Sequence, residues 1–267
     1  MRFRAWIVSA VAALLALAPR PSPLVLPVKQ TALSVELLPV IDAGRVRVWI
    51  GRTEVPWELL DAFVYERADA AQPAGADAVA RPSKPYISMD RGFGHAGFPA
   101  ISVNIDTAQQ FCAWLSKRTG RTMRLPTVAE LRSICPDDKP GQPTLDQRAW
   151  HAGNSGGTTH KVGSSKADAQ GFSDLQGNVA EWAIDANGKP VLWGGSFMDA
   201  AKDQGRDRVQ QPTADWNASD PQMPPSRWWL ADGSFVGFRV ACEPLPGDNA
   251  GASDAKPASP ATKEPSR

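Results

Sequence analysis

From about residue 136 the periodicities that organise the first part of this chain vanish, and Gly, Pro, Asn, Asp and Trp take over until about residue 243. Long irregular loops are uncommon in a compact domain and are usually functional or tied down. Their buried backbone groups need hydrogen-bond partners. A bound ion, side-chain hydrogen bonds or a disulfide could supply them.

The first part reads as ordinary secondary structure. In "RVRVWIGRTEV", Val46, Val48 and Ile50 alternate with Arg45, Arg47 and Trp49, which predicts a strand. Pro56 suits the first turn of a helix through "WELLDAFVYE", with Leu59, Leu60 and Phe63 on one stripe. A longer helix is predicted over "DTAQQFCAWLSKRTG". Asp106 is its expected cap, and Ala108, Phe111, Cys112 and Leu115 form its apolar face. Gly120 suits a left-handed stop. In "LPTVAELRSI", Thr127 and Glu130 have the spacing of a capping box.

The two ends differ from this body. Arg2 and Arg4 precede the apolar run "AWIVSAVAALLALA", which closes on small residues. Residues 1–18 therefore read as an export signal. Pro19 disfavours cleavage and leaves an uncleaved amino-terminal anchor as the alternative. Pro-rich residues 19–32 read as a linker. Residues 245–267 hold hardly any large apolar group, so a disordered tail is expected. The folded body is then 33–244. The chain carries 29 basic and 28 acidic side chains, scattered rather than striped, which gives no footprint for nucleic acid. Three cysteines fit an oxidising compartment, with one pair and one leftover thiol.

Six segments then occur in order: "GRTEVPWELLDAFV", "FPAISVNIDTAQQFCAWLSKRTGRTMRLPTVAELRSI", "NSGGTTHKVGS", "GFSDLQGNVAEW", "LWGGSF" and "FVGFRVA". Over roughly residues 46–243 the chain resembles the formylglycine-generating enzyme, or sulfatase-modifying-factor, family. The resemblance implies an α+β fold: a single compact, loop-rich domain related to C-type lectins. The family holds copper oxidases that turn a sulfatase cysteine into formylglycine, iron-dependent sulfoxide synthases, pyoverdine-maturation proteins and members of unknown role. Fold therefore follows more firmly than chemistry.

The oxidases hold copper with two cysteines, five positions apart, just after G-G-S-[FY]. Here Asp199 and Gln204 stand at those positions. A carboxylate and an amide cannot replace the soft thiolate pair that Cu(I) prefers. The iron branch uses a separate amino-terminal helical domain that this sequence lacks, and His95, His151 and His160 fall in loops without metal-ligand spacing. No catalytic residue is assigned.

In the family, the loop matching "DLQGNVAE" holds calcium. The resemblance implies side-chain oxygens from Asp174 and Glu181 and carbonyls from Gly177 and Val179. Hard oxygens suit calcium, which takes 6–8 of them, and the ion would be structural. The alternative is a plain Gly-Asn turn. A second calcium loop is reduced to Asn154. The family often staples its main helix to its last strand, which implies a Cys112–Cys242 disulfide and a free Cys135. The other reading is three small buried hydrophobes. Trp216, Arg227, Trp228 and Trp229 fit equally a ligand groove or a core plug; the oxidases' substrate peptide lies beside this region.

The expectation is an exported, periplasmic or secreted domain. It would be non-catalytic and calcium-stabilised, and would bind a peptide, glycan or protein partner. Membrane contact would come only through an uncleaved amino-terminal segment. The alternative is a formylglycine-generating oxidase, or a related metal-dependent oxidoreductase, acting on a sulfatase-type substrate.

Overall fold

A computed structural model describes residues 21–65, 82, 88–136 and 140–249. The export segment and the tail from residue 250 lie outside the described residues. No helix among the described residues is long and apolar enough to cross a membrane.

Two small sheets carry the domain. The first contains β1 (Leu24–Pro27), β2 (Ser34–Asp42), β3 (Arg45–Gly51), β4 (Met123–Arg124) and β9 (Ala241–Cys242), in the order β1-β2-β3-β9-β4. The second contains β5 (Ala180–Ile184), β6 (Pro190–Gly194), β7 (Gly205–Gln210) and β8 (Val236–Gly237), in the order β7-β6-β5-β8. The helices are α1 (Trp57–Val64), α2 (Ile105–Thr119), α3 (Val128–Ile134) and the short α4 (Leu145–Arg148). Strand β1 lies within the stretch read as linker and pairs antiparallel with β2, Leu24 opposite Leu37. The folded body therefore starts earlier than residue 33.

The predicted strand over 45–51 forms, but its alternation is broken. Val40 pairs with Val48 and Ile41 with Val46, which leaves Arg47 as an extra residue. A bulge of this kind redirects the side chains that follow. Val46 joins Trp49 in one core cluster, while Val48 and Ile50 join the other with Val128, Leu131 and Ile134 of α3.

Helix α2 buries Ala108, Phe111, Cys112, Trp114 and Leu115. Phe111 meets Phe63 of α1 and Phe238 edge-on, with centroids 5.9 and 5.3 Å apart. Each such large side chain contributes about 1.5–3 kcal/mol when fully buried. Gly120 ends the helix at φ 74°, as expected. The start is different. Asn104, not Asp106, is the cap, its side chain accepting from the Ile105 N–H at 2.6 Å. Asp106 turns outward to Arg227. The Thr127–Glu130 capping box of α3 forms in both directions.

The tail does not begin where composition placed it. Asp248 accepts from the Trp49 indole at 2.7 Å and from Arg121 at 2.5 Å, and the Asn249 side chain accepts from the Val46 N–H at 2.7 Å. This clasp closes over Trp49, which also packs in the core cluster with Val46. Burial works to raise the Asp248 carboxyl, but the hydrogen bonds from Arg121, Leu245 and Trp49 outweigh it and hold it below its ordinary value. Its contribution is thus fully present above the unfolded pKa, about 3.9, and is lost as pH falls through the lower folded value. Asp248→Ala is expected to cost about 2 kcal/mol at pH 7. In urea titrations the gap from wild type should close as pH is lowered below about 4. An equal gap at pH 3 and pH 7 would refute the clasp's charge.

Candidate functional site

The loop from Gly171 to Trp182 requires unusual backbone. Asp174, Gly177 and Asn178 sit at φ 55°, 75° and 53°. Asn and Asp tolerate the left-handed region better than other side chains. Only glycine fits at 177, because a Cβ there would lie 2.2 Å from the Trp150 carbonyl oxygen. The neighbouring Asn178 is fully buried. Its N–H donates to that same carbonyl at 2.8 Å, and its side chain accepts from the His160 N–H and donates to the His160 carbonyl. The Asn178 carbonyl in turn accepts from the Phe197 N–H. One asparagine thus satisfies backbone from three loops, a role that a Gly-Asn pair alone does not announce.

The parallel pairing of β5 with β8 sets Glu181 opposite Gly237 and brings Arg239 alongside. Arg239 and Glu181 are both buried. The guanidinium donates Nε to Oε2 at 2.6 Å and Nη2 to Oε1 at 2.5 Å. Its remaining hydrogens reach the carbonyls of Gly51, Arg52, Ser173 and Asp174. Burial disfavours its charge, but facing Glu181 outweighs that, and its pKa stays above the ordinary value. Asp174 accepts from the Gly163 N–H at 2.7 Å and the Ser165 hydroxyl at 2.6 Å. Val179 is buried, with its side chain against Gly237.

Glu54, which the sequence did not single out, completes this centre. It is only 1% exposed, and neither carboxyl oxygen meets a hydrogen-bond donor. Burial, then the charges of Asp174 and Glu181, push its pKa well above the usual carboxylate range, against the pull of Arg239. The implied calcium can be tested against these facts. Donors are hard oxygens, of the kind that calcium takes. Among the described residues, no three His, Cys, Asp or Glu side chains are grouped so as to hold a metal ion, and Glu181 is turned onto Arg239. The loop offers the oxygen type that calcium takes, but Asp174 and Glu181 are held by protein partners in this arrangement.

The positions of the family's copper ligands are tied into a turn after β6. Gly194 and Gly195 have φ 98° and 96°. Asp199 accepts from the Ser196 N–H at 2.9 Å and hydroxyl at 2.8 Å, and from Arg208 at 3.0 Å. Gln204 donates to the Ser196 carbonyl at 2.7 Å. The Asp199 carbonyl accepts from the Ala152 N–H. The fold brings positions 199 and 204 together, as the family's chemistry needs, but with groups that close the turn on itself.

The expected Cys112–Cys242 disulfide is not formed; Cys112, Cys135 and Cys242 are all free and buried. The family's strand partner precedes Cys242 by two residues, and two residues of strand span about 7 Å. The shifted thiol instead faces Arg121, which opposes the upward push of burial on its pKa without cancelling it. Burial pushes the Cys112 thiol up to about 12, so it is inert at neutral pH.

The aromatic groove is also corrected. Trp216, Trp228 and Trp229 are core residues. Trp216 packs edge-on to Trp182 and Phe235 at 6.0 and 5.6 Å. The Trp228 carbonyl accepts from the Asn104 N–H and the Thr107 hydroxyl, fixing the start of α2. Arg227 alone reaches solvent, lying 4.8 Å over the Trp228 ring and pairing with Asp106 at 2.8 Å. A domain with so few helices fills its centre with indoles, and these three are among them.

Comparison with known proteins agrees with this architecture. The solved structure of variable protein 1 from Treponema denticola superposes with a TM-score of 0.56 at 20% identity, covering 84% of this chain and all of that one. PvdO from Pseudomonas aeruginosa gives 0.54 at 21% identity, covering 85% of this chain and all of its own. These likenesses concern the fold alone. No curated protein matches the chain in sequence. The model of the sulfatase-modifying factor enzyme 1-like domain matches residues 39–244, nearly the whole folded body, and the chain belongs to that family.

Proposed function

We propose that this protein is an exported, calcium-stabilised and non-catalytic member of its family that engages a peptide, glycan or protein partner. One observation carries the non-catalytic reading: Asp199 and Gln204 stand where the resemblance places the copper ligands, with the Asp199 carboxylate accepting from Ser196 and Arg208 and the Gln204 amide nitrogen donating to the Ser196 carbonyl. A linear Cu(I) site needs two soft sulfurs at one point. The remaining thiols are buried in α2, at the end of α3 and in β9. The export reading rests on the basic and apolar order of residues 1–18. With the three indoles buried, Arg227 is the member of that set left exposed to a partner.

The purified protein is incubated with Cu(I), oxygen and a cysteine-bearing sulfatase peptide. The expected result is an unchanged peptide mass and no competition with a chromophoric Cu(I) chelator. The double variant Asp199→Cys, Gln204→Cys is expected to compete for Cu(I). Conversion of the peptide thiol by wild type would overturn the reading and favour the oxidase.

A further inference from the structure

His95 faces an aspartate at each ring nitrogen. Its Nε2 lies 2.7 Å from Asp61 Oδ2, and its Nδ1 lies 3.1 Å from Asp90 Oδ2. A neutral imidazole carries one N–H and one lone pair, so it can donate to only one of two carboxylates. The other nitrogen would then turn its lone pair toward an anion. Only the imidazolium, with hydrogen on both nitrogens, satisfies both contacts. The ring also lies nearly flat on the Trp57 indole, with centroids 5.0 Å apart and planes 14° apart, and an aromatic face attracts a cation.

The two aspartates belong to different parts of the fold. Asp61 is on α1, whereas Asp90 lies with His95 in the segment 88–98, which runs over the domain as a strap. Within the strap, the Ser88 hydroxyl and the Gly92 N–H donate to Asp90. The Gly97 N–H donates to Glu58 of α1 at 2.5 Å, and the Gly97 carbonyl accepts from the Val162 N–H. Arg91 donates to the Ala231 carbonyl. Phe93 packs edge-on against Phe197, in the turn that carries Asp199, with centroids 5.5 Å apart. Of these ties, only that of His95 holds a group that titrates near neutral pH. The other titratable groups around it are Glu58 and Tyr65 on the α1 side and Lys161, whose methylenes lie 3.8 Å from where a Gly97 Cβ would stand. The His95 side chain is 46% exposed, so solvent can take up and return its proton.

We propose that His95 is a proton-operated latch, which pins the strap 88–98 to α1 while both ring nitrogens carry hydrogen and lets the strap loosen when one proton leaves. Burial works to lower the His95 pKa, but the hydrogen bond and charge of Asp61, then those of Asp90, outweigh it and hold it above its ordinary value. The latch's contribution is thus fully present below the unfolded pKa, about 6.5, and is lost as pH rises through the higher folded value. Loosening draws Phe93 away from Phe197, so the turn after β6 becomes more accessible as pH rises.

His95 is titrated by NMR in the whole folded chain. Amide exchange of residues 88–98 is followed by mass spectrometry at pH 6 and pH 9, each rate corrected for its intrinsic pH dependence. In wild type, His95 should titrate above about 6.5. Protection of the strap should fall by about tenfold for each unit by which the folded pKa exceeds the unfolded one, while α2 keeps its protection. Asp61→Asn should lower the His95 midpoint and shrink the change, and His95→Gln should abolish it. If the glutamine variant does not fold, the midpoint in Asp61→Asn decides. A His95 that titrates at or below its ordinary value would overturn the latch. So would strap protection that is the same at both pH values, or that changes as much in the variants as in wild type.

Discussion

Arg239→Met is expected to be the most destabilising single change in this protein. It leaves Glu181 as a buried charge without its partner and strips hydrogen bonds from the carbonyls of Gly51, Ser173 and Asp174. Breaking a buried pair by removing one member costs about 3–5 kcal/mol, a large part of a net stability of about 5–15 kcal/mol. Urea denaturation should show either a strongly lowered midpoint or no folded baseline. The paired change Glu181→Leu, Arg239→Met should recover part of the loss, since apolar replacement of a whole buried pair is far better tolerated. A single variant within about 1 kcal/mol of wild type would mean that the guanidinium is not the hub of these loops.

Gly177→Ala is the second change expected to have a large effect. The added methyl meets the Trp150 backbone at 2.2 Å, and backbone cannot swing aside as a side-chain tip can. The left-handed conformation at φ 75° adds its own strain for alanine. Together these should cost about 3 kcal/mol or more. Gly188→Ala is the control: its φ is 77°, but nothing lies within 4 Å of the added Cβ. That variant isolates the conformational cost, about 1 kcal/mol. If both substitutions cost the same, close approach of the Trp150 and Gly177 segments is not what demands glycine there.

The contrast between Gly177 and Gly188 also marks what a sequence can disclose. Either glycine can be read as a turn residue, and only a neighbour from elsewhere in the chain separates them. Helices α2 and α3 were legible because their signals are local. Apolar residues recur at helical spacing, Gly120 stops α2, and Thr127 and Glu130 lie one turn apart. Even there, Asp106 and Asn104 both suit a cap; Asn104 takes the position, and Asp106, inside the first turn, pairs with Arg227, 121 residues away.

The aromatic stretch failed for a related reason. Trp216, Trp228 and Trp229 carry no local sign of whether they face solvent or core, and the answer depends on how much volume the helices leave unfilled. Glu54 went unnoticed because an acid beside a short strand is ordinary until its burial is known. The cysteines show the same limit: the resemblance implied a bridge, and the fold leaves all three thiols free and buried.

By itself the sequence determined the family, the long loops, the two capped helices and the loss of the paired thiols, since each is written in adjacent residues or in motifs kept in order. Tertiary structure alone decided that Arg239 answers Glu181, that Asp248 roofs Trp49, that the indoles are interior and that Glu54 is left unanswered. The division has one physical cause. Local preference is set by neighbours along the chain, whereas the charge state and burial of a side chain are set by groups that the fold brings from far away in sequence.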